Sequence, residues 1–285
     1  MSKFDRYPTS CLDAGPSAGL IEGGPIRFAM AQIITVNAFH QGAGVSTLAA
    51  NVAVVLAQRG RRVGLIDACV SAPTQHMLFN VSDSVLPPTF NDFLLGRCDL
   101  VDAARSLPPD TLLLEQGELF LVPADSDWGG IQRTLQAPSG VEVLGPGLLR
   151  LADRLRLDTV VIDSEASLGE TALASMALSD DLLAVVQLDQ QYYKGLGIAL
   201  GLAGQLDIPH RSLVVNSASP SFEAESVRHT IEQSYGWPVA GIVPYCDELS
   251  ALCSAAIFVV RYPNHPVSTI FRQIADTLHL QIQGD

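Results

Sequence analysis

Lysine is almost missing from this sequence. Lys3 and Lys194 are the only two among 285 residues, against fifteen arginines. Acidic residues outnumber basic ones 30 to 17, for a formal net charge of −13. A chain of that sign lacks the positive surface that nucleic acid or anionic lipid selects, so neither is expected as a partner. The five cysteines are Cys11, Cys69, Cys98, Cys246 and Cys253, and none forms a CxxC pair. Zinc and iron–sulfur sites need clustered ligands, so neither is expected, and the thiols read as the scattered reduced cysteines of a cytoplasmic protein. No apolar run reaches the ~18–20 residues of a membrane span. No basic segment precedes an apolar one at the N-terminus, so a signal peptide is not expected.

What is present is ample apolar material, 48% of the residues, enough for a packed core. Residues 1–29 are rich in Gly, Pro and Ser without periodicity, and read as a flexible or surface-laid tail. Met30 is a candidate translation start for the folded part, 30–285. From there, short and nearly continuous apolar runs fall at 33–36, 63–66, 119–122, 159–162, 182–187, 213–215 and 239–243. Such runs suit strands covered on both faces. Helical patterns at 46–59, 141–156, 193–206, 223–235 and 267–280 separate several of them. The alternation predicts a single α/β domain, a doubly wound and mainly parallel sheet flanked by helices. Residues 79–109, with "LPP" and "LPPD", predict loops and short helices and are a candidate partner surface. The last helix carries Ile270, Phe271, Ile274 and Leu278 as an apolar stripe with Arg272 as its one basic residue. It is therefore expected to face the core and not to anchor stably on a membrane.

The first strand runs into "NAFHQGAGVST", residues 37–47, and then into a helix. This has the outline of a phosphate-binding loop, GxxxxGK[ST]. Phe39 stands at the first glycine position, Gly44 at the second, Val45 at the lysine position and Ser46 at the hydroxyl position. Backbone N–H groups around Gly42, Ala43, Gly44 and Thr47 can still form an anion cradle at the helix N-terminus. A tight bend alone would also account for the glycines. Two later strands end in Asp67 and Asp163, residues that can cap a following turn or hold a metal.

In order and spacing, "RRVGLIDACVSAPTQHMLF", "LDTVVIDSEASLGETALASMALSDDLLAVV", "SLVVNSA" and "AGIVPYCDEL" resemble the MinD/ParA family of ATPases. The resemblance runs from about residue 30 to 280 and takes in "FNDFLLGRC" at 90–98 and "RYPNHP" at 261–266. It implies ATP as ligand, with Mg²⁺ held by Ser46, Asp67 and Asp163. Residues 40–47 would form the phosphate loop, Asn216 would read the adenine, and Pro244 and Tyr245 would flank it. The family's cross-dimer cation falls on His40, the next glycine on Gln41 and the phosphate lysine on Val45. Its water-positioning Asp falls on Cys69 and its sensing Gly on Ser167. Some pilus-positioning and cellulose-secretion relatives also lack the lysine.

Phosphoryl transfer rests on positioning and on neutralising the transferred oxygens, so no catalytic residue is assigned. Arg59, Arg61 and Arg62 lie roughly 20 Å away, at the far end of the first helix. A lost cation at ~4 Å forfeits up to ~4 kcal/mol. The expectation is a pseudo-ATPase that binds ATP and Mg²⁺ weakly and acts as a cytoplasmic scaffold or regulator. It would bind protein partners, an intact paralogue or a second copy of itself among them. A slow but active ATP-dependent spatial organiser and a nucleotide-free protein–protein module are the alternatives.

Overall fold

The computed structural model describes residues 31–82, 88–134 and 140–280. The expected N-terminal tail lies outside them. Eight strands form one sheet: β1 (Gln32–Ala38), β2 (Arg62–Ala68), β3 (Arg105–Ser106), β4 (Glu118–Val122), β5 (Thr159–Ser164), β6 (Asp181–Val186), β7 (His210–Ala218) and β8 (Val239–Pro244). The longer helices are α1 (Val45–Gln58), α6 (Val141–Leu155), α7 (Glu170–Leu178), α8 (Gln190–Ala203), α9 (Ala224–Tyr235) and α12 (Pro266–Leu280). Shorter ones are α2 (Gln75–Leu78), α3 (Phe90–Leu94), α4 (Leu100–Ala103), α5 (Trp128–Thr134), α10 (Asp247–Ala251) and α11 (Phe258–Arg261).

The strand order is β3-β4-β2-β5-β1-β6-β7-β8. Every pairing is parallel except β3 with β4, where two residues close one edge antiparallel. β5 is buried at all six positions, and so is β6. Helices on both faces remove the need for polar alternation, which is why these strands read as continuous apolar runs. The strand order reverses between β5 and β6 around β1, and ligand crevices in open α/β sheets form at such a reversal, beyond the carboxyl ends of the strands. The phosphate loop follows β1 directly.

One core cluster holds α1, α12 and the sheet face beneath them, from Ile34 and Val36 to Phe271 and Ile274. A second, on the other face, packs Phe90, Phe93 and Leu100 against Leu144, Leu148 and Ile162. The "FNDFLL" stretch is thus packing, and Thr89 caps α3 by accepting from the Asp92 N–H. The apolar stripe of α12 points inward, with Phe271, Ile274 and Leu278 each at most 2% exposed. Among the described residues no helix is long and apolar enough to cross a membrane.

Candidate functional site

The loop after β1 turns through two glycines in left-handed backbone, Gly42 at φ 77° and Gly44 at φ 93°. L-residues adopt that region at a cost, so glycine is required for this path. α1 then begins at Val45 with Gly44 as its N-cap and no side chain capping it. The first N–H groups of a helix have no partner within the helix, so they point into the turn as donors. No Cβ-sized obstacle approaches Gly42, whereas a Cβ on Gly44 would lie 2.3 Å from Asn216 Nδ2. Asn216 donates that amide to the Ala43 carbonyl at 2.7 Å. Gln187 donates to the Gly42 carbonyl at 3.3 Å from β6's end. The loop is therefore tied to the strand ends on its far side by two amides.

Val45 is only 7% exposed and packs in the core cluster with Val36, Leu48 and Val243. Its side chain is core material. His40 bonds its own loop, Nδ1 to the Gln41 carbonyl at 3.0 Å. The distant arginines are engaged elsewhere. Arg59 meets Asp276 at 2.7 Å, Arg61 donates to Thr159 Oγ1 at 2.8 Å, and Arg62 pairs with Glu118.

On the other side of the loop, β2 and β5 end side by side. Asp67 and Asp163 are register partners in that pairing, and both are fully buried. Asp67 accepts from the backbone N–H of Cys69 at 3.3 Å and of Thr74 and Gln75 at 3.0 Å. It therefore organises the turn into α2, the capping role. Asp163 is different. Its Oδ2 accepts from Gln75 Nε2 at 2.8 Å, while its Oδ1 is buried with no hydrogen-bond partner. The same Gln75 amide donates to the Ser46 carbonyl at 3.0 Å, and the Ser46 hydroxyl also bears on Asp163.

Burial pushes both carboxyls up, Asp67 to about 6 and Asp163 to about 8, with repulsion from Asp67 adding to the Asp163 shift. No basic side chain is among the principal influences on either. Cys69 lies half-buried beside them, and burial followed by the charges of Asp163 and Asp67 pushes its thiol up to about 12. A thiol held neutral in this way cannot act as a base toward water.

A cleft of about 190 Å³ opens on the Asn216 side. It is lined by Gly42, Gly44, Thr47, Asn216 and Ser217, with Leu249, Ser250 and Phe271 opposite. A bulge in the β7–β8 pairing, with Ser217 at φ 54°, turns the end of β7 toward this cleft. Pro244 ends β8. Tyr245 beyond it is 53% exposed and donates its N–H to the Ala218 carbonyl at 2.8 Å. Ser167 sits in the turn after β5, where its Oγ accepts from the Gly169 N–H at 3.1 Å.

Thus the fold gathers Gly42, Gly44, Thr47 and Asn216 around one cleft, and Ser46, Asp67 and Asp163 on the loop's other side. Gln75 was not anticipated from the sequence. Nothing in "APTQHML" marks it, and only its complete burial between Ser46 and Asp163 reveals its part. A second group escaped notice for another reason. Cys246, Glu248 and His265 are separated along the chain but bring their donor atoms within 4.8 Å of one another.

The residues present fit a Mg²⁺–nucleotide complex in part. Asp163 offers a buried oxygen with an unused lone pair, Ser46 a hydroxyl, and the glycine turn an open backbone path. At the head of α1, position 45 offers no charge toward the turn, because Val45 is packed in the core.

Comparison with known proteins supplies the relatives of this chain. The CobQ/CobB/MinD/ParA nucleotide binding domain matches residues 34–256. An uncharacterised ATP-binding protein of Methanocaldococcus jannaschii is 25% identical over 250 residues, 87% of this chain and 88% of that protein. The antiactivator FleN of Pseudomonas aeruginosa is 30% identical over 156 residues, 54% of this chain and 50% of FleN. The septum site-determining protein MinD of Pyrococcus horikoshii, solved with Mg-ADP, superposes with a TM-score of 0.72. It is 18% identical, with 90% of this chain and 98% of that one covered, and it shows the fold.

Proposed function

This chain belongs to the CobQ/CobB/MinD/ParA nucleotide-binding family, and from that premise we propose that it is a MinD/ParA-like protein with a decayed ATPase site. It keeps the cradle, binds Mg²⁺–ATP weakly, turns it over negligibly, and acts as a scaffold or regulator of protein partners. The observation that carries this reading is Val45, buried in the core at the position where the cation should reach the phosphates.

In this reading the N–H groups from Gly42 to Thr47 hold phosphate oxygens at the head of α1. Asp163 and the Ser46 hydroxyl would hold Mg²⁺ with Asp67, and the ion would supply the charge neutralisation that Val45 does not. Asn216 keeps its Nδ2 on Ala43 and leaves Oδ1 to accept from an adenine amino group, with Pro244 and Tyr245 at the rim. Neutral Cys69 and Ser167, whose hydroxyl is engaged by Gly169, do not position an attacking water. Without a cation to cross a dimer interface, assembly is not driven by nucleotide, and a partner chain that carries the cation is the natural complement. FleN is named an antiactivator, a precedent for regulation among the relatives.

Calorimetric titration with Mg²⁺–ATP, paired with steady-state phosphate release, tests the proposal. Weak binding with background phosphate release is expected. Family-like turnover abolished by Ser46→Ala would establish the active spatial organiser instead. No binding in wild type and none in Val45→Lys would leave a nucleotide-free protein–protein module.

A further inference from the structure

A second polar cluster lies behind the cleft wall, away from the phosphate loop. Cys246 follows β8 and precedes α10, Glu248 is in the first turn of α10, and His265 leads into α12. One thiol, one carboxylate and one imidazole thus converge from two chain segments. Their donor atoms all lie within 4.8 Å of one another. Cys246 Sγ is 3.2 Å from Glu248 Oε2, and His265 Nε2 is 3.9 Å from the same oxygen.

Those separations suit a tetrahedral cation. Zinc–sulfur bonds of ~2.3 Å and zinc–nitrogen or zinc–oxygen bonds of ~2.0 Å place neighbouring donors about 3.5 Å apart. The two separations here fall on either side of that value. Cys246 is buried, His265 partly so, and Glu248 exposed, which leaves a solvent side for a fourth ligand.

We propose that Cys246, Glu248 and His265 form a binding site for a single divalent cation of borderline softness, zinc above all, with water as the fourth ligand. Thiolate with imidazole selects zinc over magnesium or calcium, and the carboxylate completes the set. The cation takes the place of the proton now shared in the Sγ–H···Oε2 bond, and that proton leaves to solvent. At His265 the Val267 N–H donates to Nδ1 at 3.2 Å, so the neutral ring carries its proton on Nε2. Loading the cation on Nε2 moves that proton to Nδ1 and turns the ring off the Val267 bond.

The site joins the segment after β8 to the entry of α12. Leu249 and Ser250, next in sequence to Glu248, and Phe271 of α12 line the cleft described above. A bound cation would therefore clasp the two elements that form the cleft's outer wall. Neither the phosphate loop nor Asp67 and Asp163 takes part, so the site stands whether or not nucleotide binds.

Untagged, metal-free protein titrated with Co²⁺ is the direct test. One equivalent should bind with a thiolate-to-cobalt charge-transfer band that Zn²⁺ displaces, and Zn²⁺ should raise the thermal unfolding midpoint. Cys246→Ser should abolish the band, His265→Gln should weaken binding by on the order of tenfold or more, and Cys253→Ser should leave both unchanged. No band in wild type, or a band that survives Cys246→Ser, overturns the proposal, as does a band lost instead in Cys253→Ser. If Cys246→Ser does not fold, X-ray absorption of the zinc-loaded wild type decides. One sulfur with nitrogen or oxygen neighbours supports the site, and any other sulfur count refutes it.

Discussion

Asp67 and Asp163 stand opposite each other across the β2–β5 pairing, both fully buried at the strand ends, and the buried Gln75 amide donates to Asp163. Two carboxylates this close and this dry cannot both ionise without a cation between them. In a phosphate-binding site that cation is the metal, helped by a lysine. Here Val45, packed in the core at the head of α1, brings no charge, and the pair retains proton.

The first consequence is a pH dependence with a defined sign. Both carboxyls are raised by burial, to about 6 and about 8, so the folded protein binds more protons than the unfolded chain above the ordinary carboxylate range. Stability therefore falls as pH rises from about 4 through 8. Asp163→Asn should flatten that slope and raise the thermal midpoint at pH 8 relative to wild type. Calorimetry at pH 5 and pH 8 checks it. An unchanged slope would mean that the pair is not the source.

Mg²⁺–ATP affinity should respond to position 45. The loop path is set by Gly42 and Gly44, so on the proposed reading Val45→Lys supplies a charge at the cradle. Its long stem can run along the core while the ammonium reaches the cradle. Binding should strengthen by about tenfold or more, ~1.4 kcal/mol, with some loss of thermal stability from the disturbed core. Isothermal titration reads the affinity directly.

Gly44→Ala should be costly for two reasons that can be separated. The left-handed backbone there costs a side chain ~1–3 kcal/mol. The added Cβ also meets Asn216 Nδ2 at 2.3 Å. Urea denaturation should show a smaller loss for Gly44→Ala when Asn216→Ala is already present. A strictly additive double mutant would show that the side chain makes room freely.

Gln75→Ala should destabilise the protein by roughly 1–3 kcal/mol, because it leaves Asp163 Oδ2 and the Ser46 carbonyl without the amide. Chemical denaturation measures this. Added Mg²⁺ should recover part of the loss if Asp163 is a metal ligand, and a loss unaffected by Mg²⁺ would argue against that role.

On the proposed reading, sedimentation of the purified protein should not change on adding Mg²⁺–ATP, since the family resemblance puts His40 where a cation would cross to a second copy. A shift from monomer to dimer would show that His40 or another group serves.

Much of the architecture could be read from the sequence because the strands are covered on both faces. Apolar runs such as 159–162 and 182–187 mark β5 and β6 for that reason, the second running one residue past the end of β6. α7 was not foreseen. Its buried Ala172, Ala174, Ser175, Met176 and Leu178 follow no single helical stripe, since α6, β1 and β5 all contact it. β3 is two residues long, too short for any periodicity. Motif order pointed to the loop, the two aspartates and Asn216, and the fold brings them to the same end of the sheet. Gln75 was not, because an amide's role depends wholly on what surrounds it. Cys246, Glu248 and His265 were not either, because two helix entries had to fold together before they met.

The helix that carries the phosphate loop has consequences for motion. α1 is buried along most of its length and wedged between the sheet and α12, with Arg59 tying its end to the Arg272 carbonyl at 2.9 Å. The amides of its buried middle turns are covered on all sides, so their hydrogen exchange should report global unfolding. Any ligand that enters the cleft must then be accommodated by the parts that can yield, the bulged end of β7 and the short α10. Those segments, and not the loop itself, are where protection from exchange should change first.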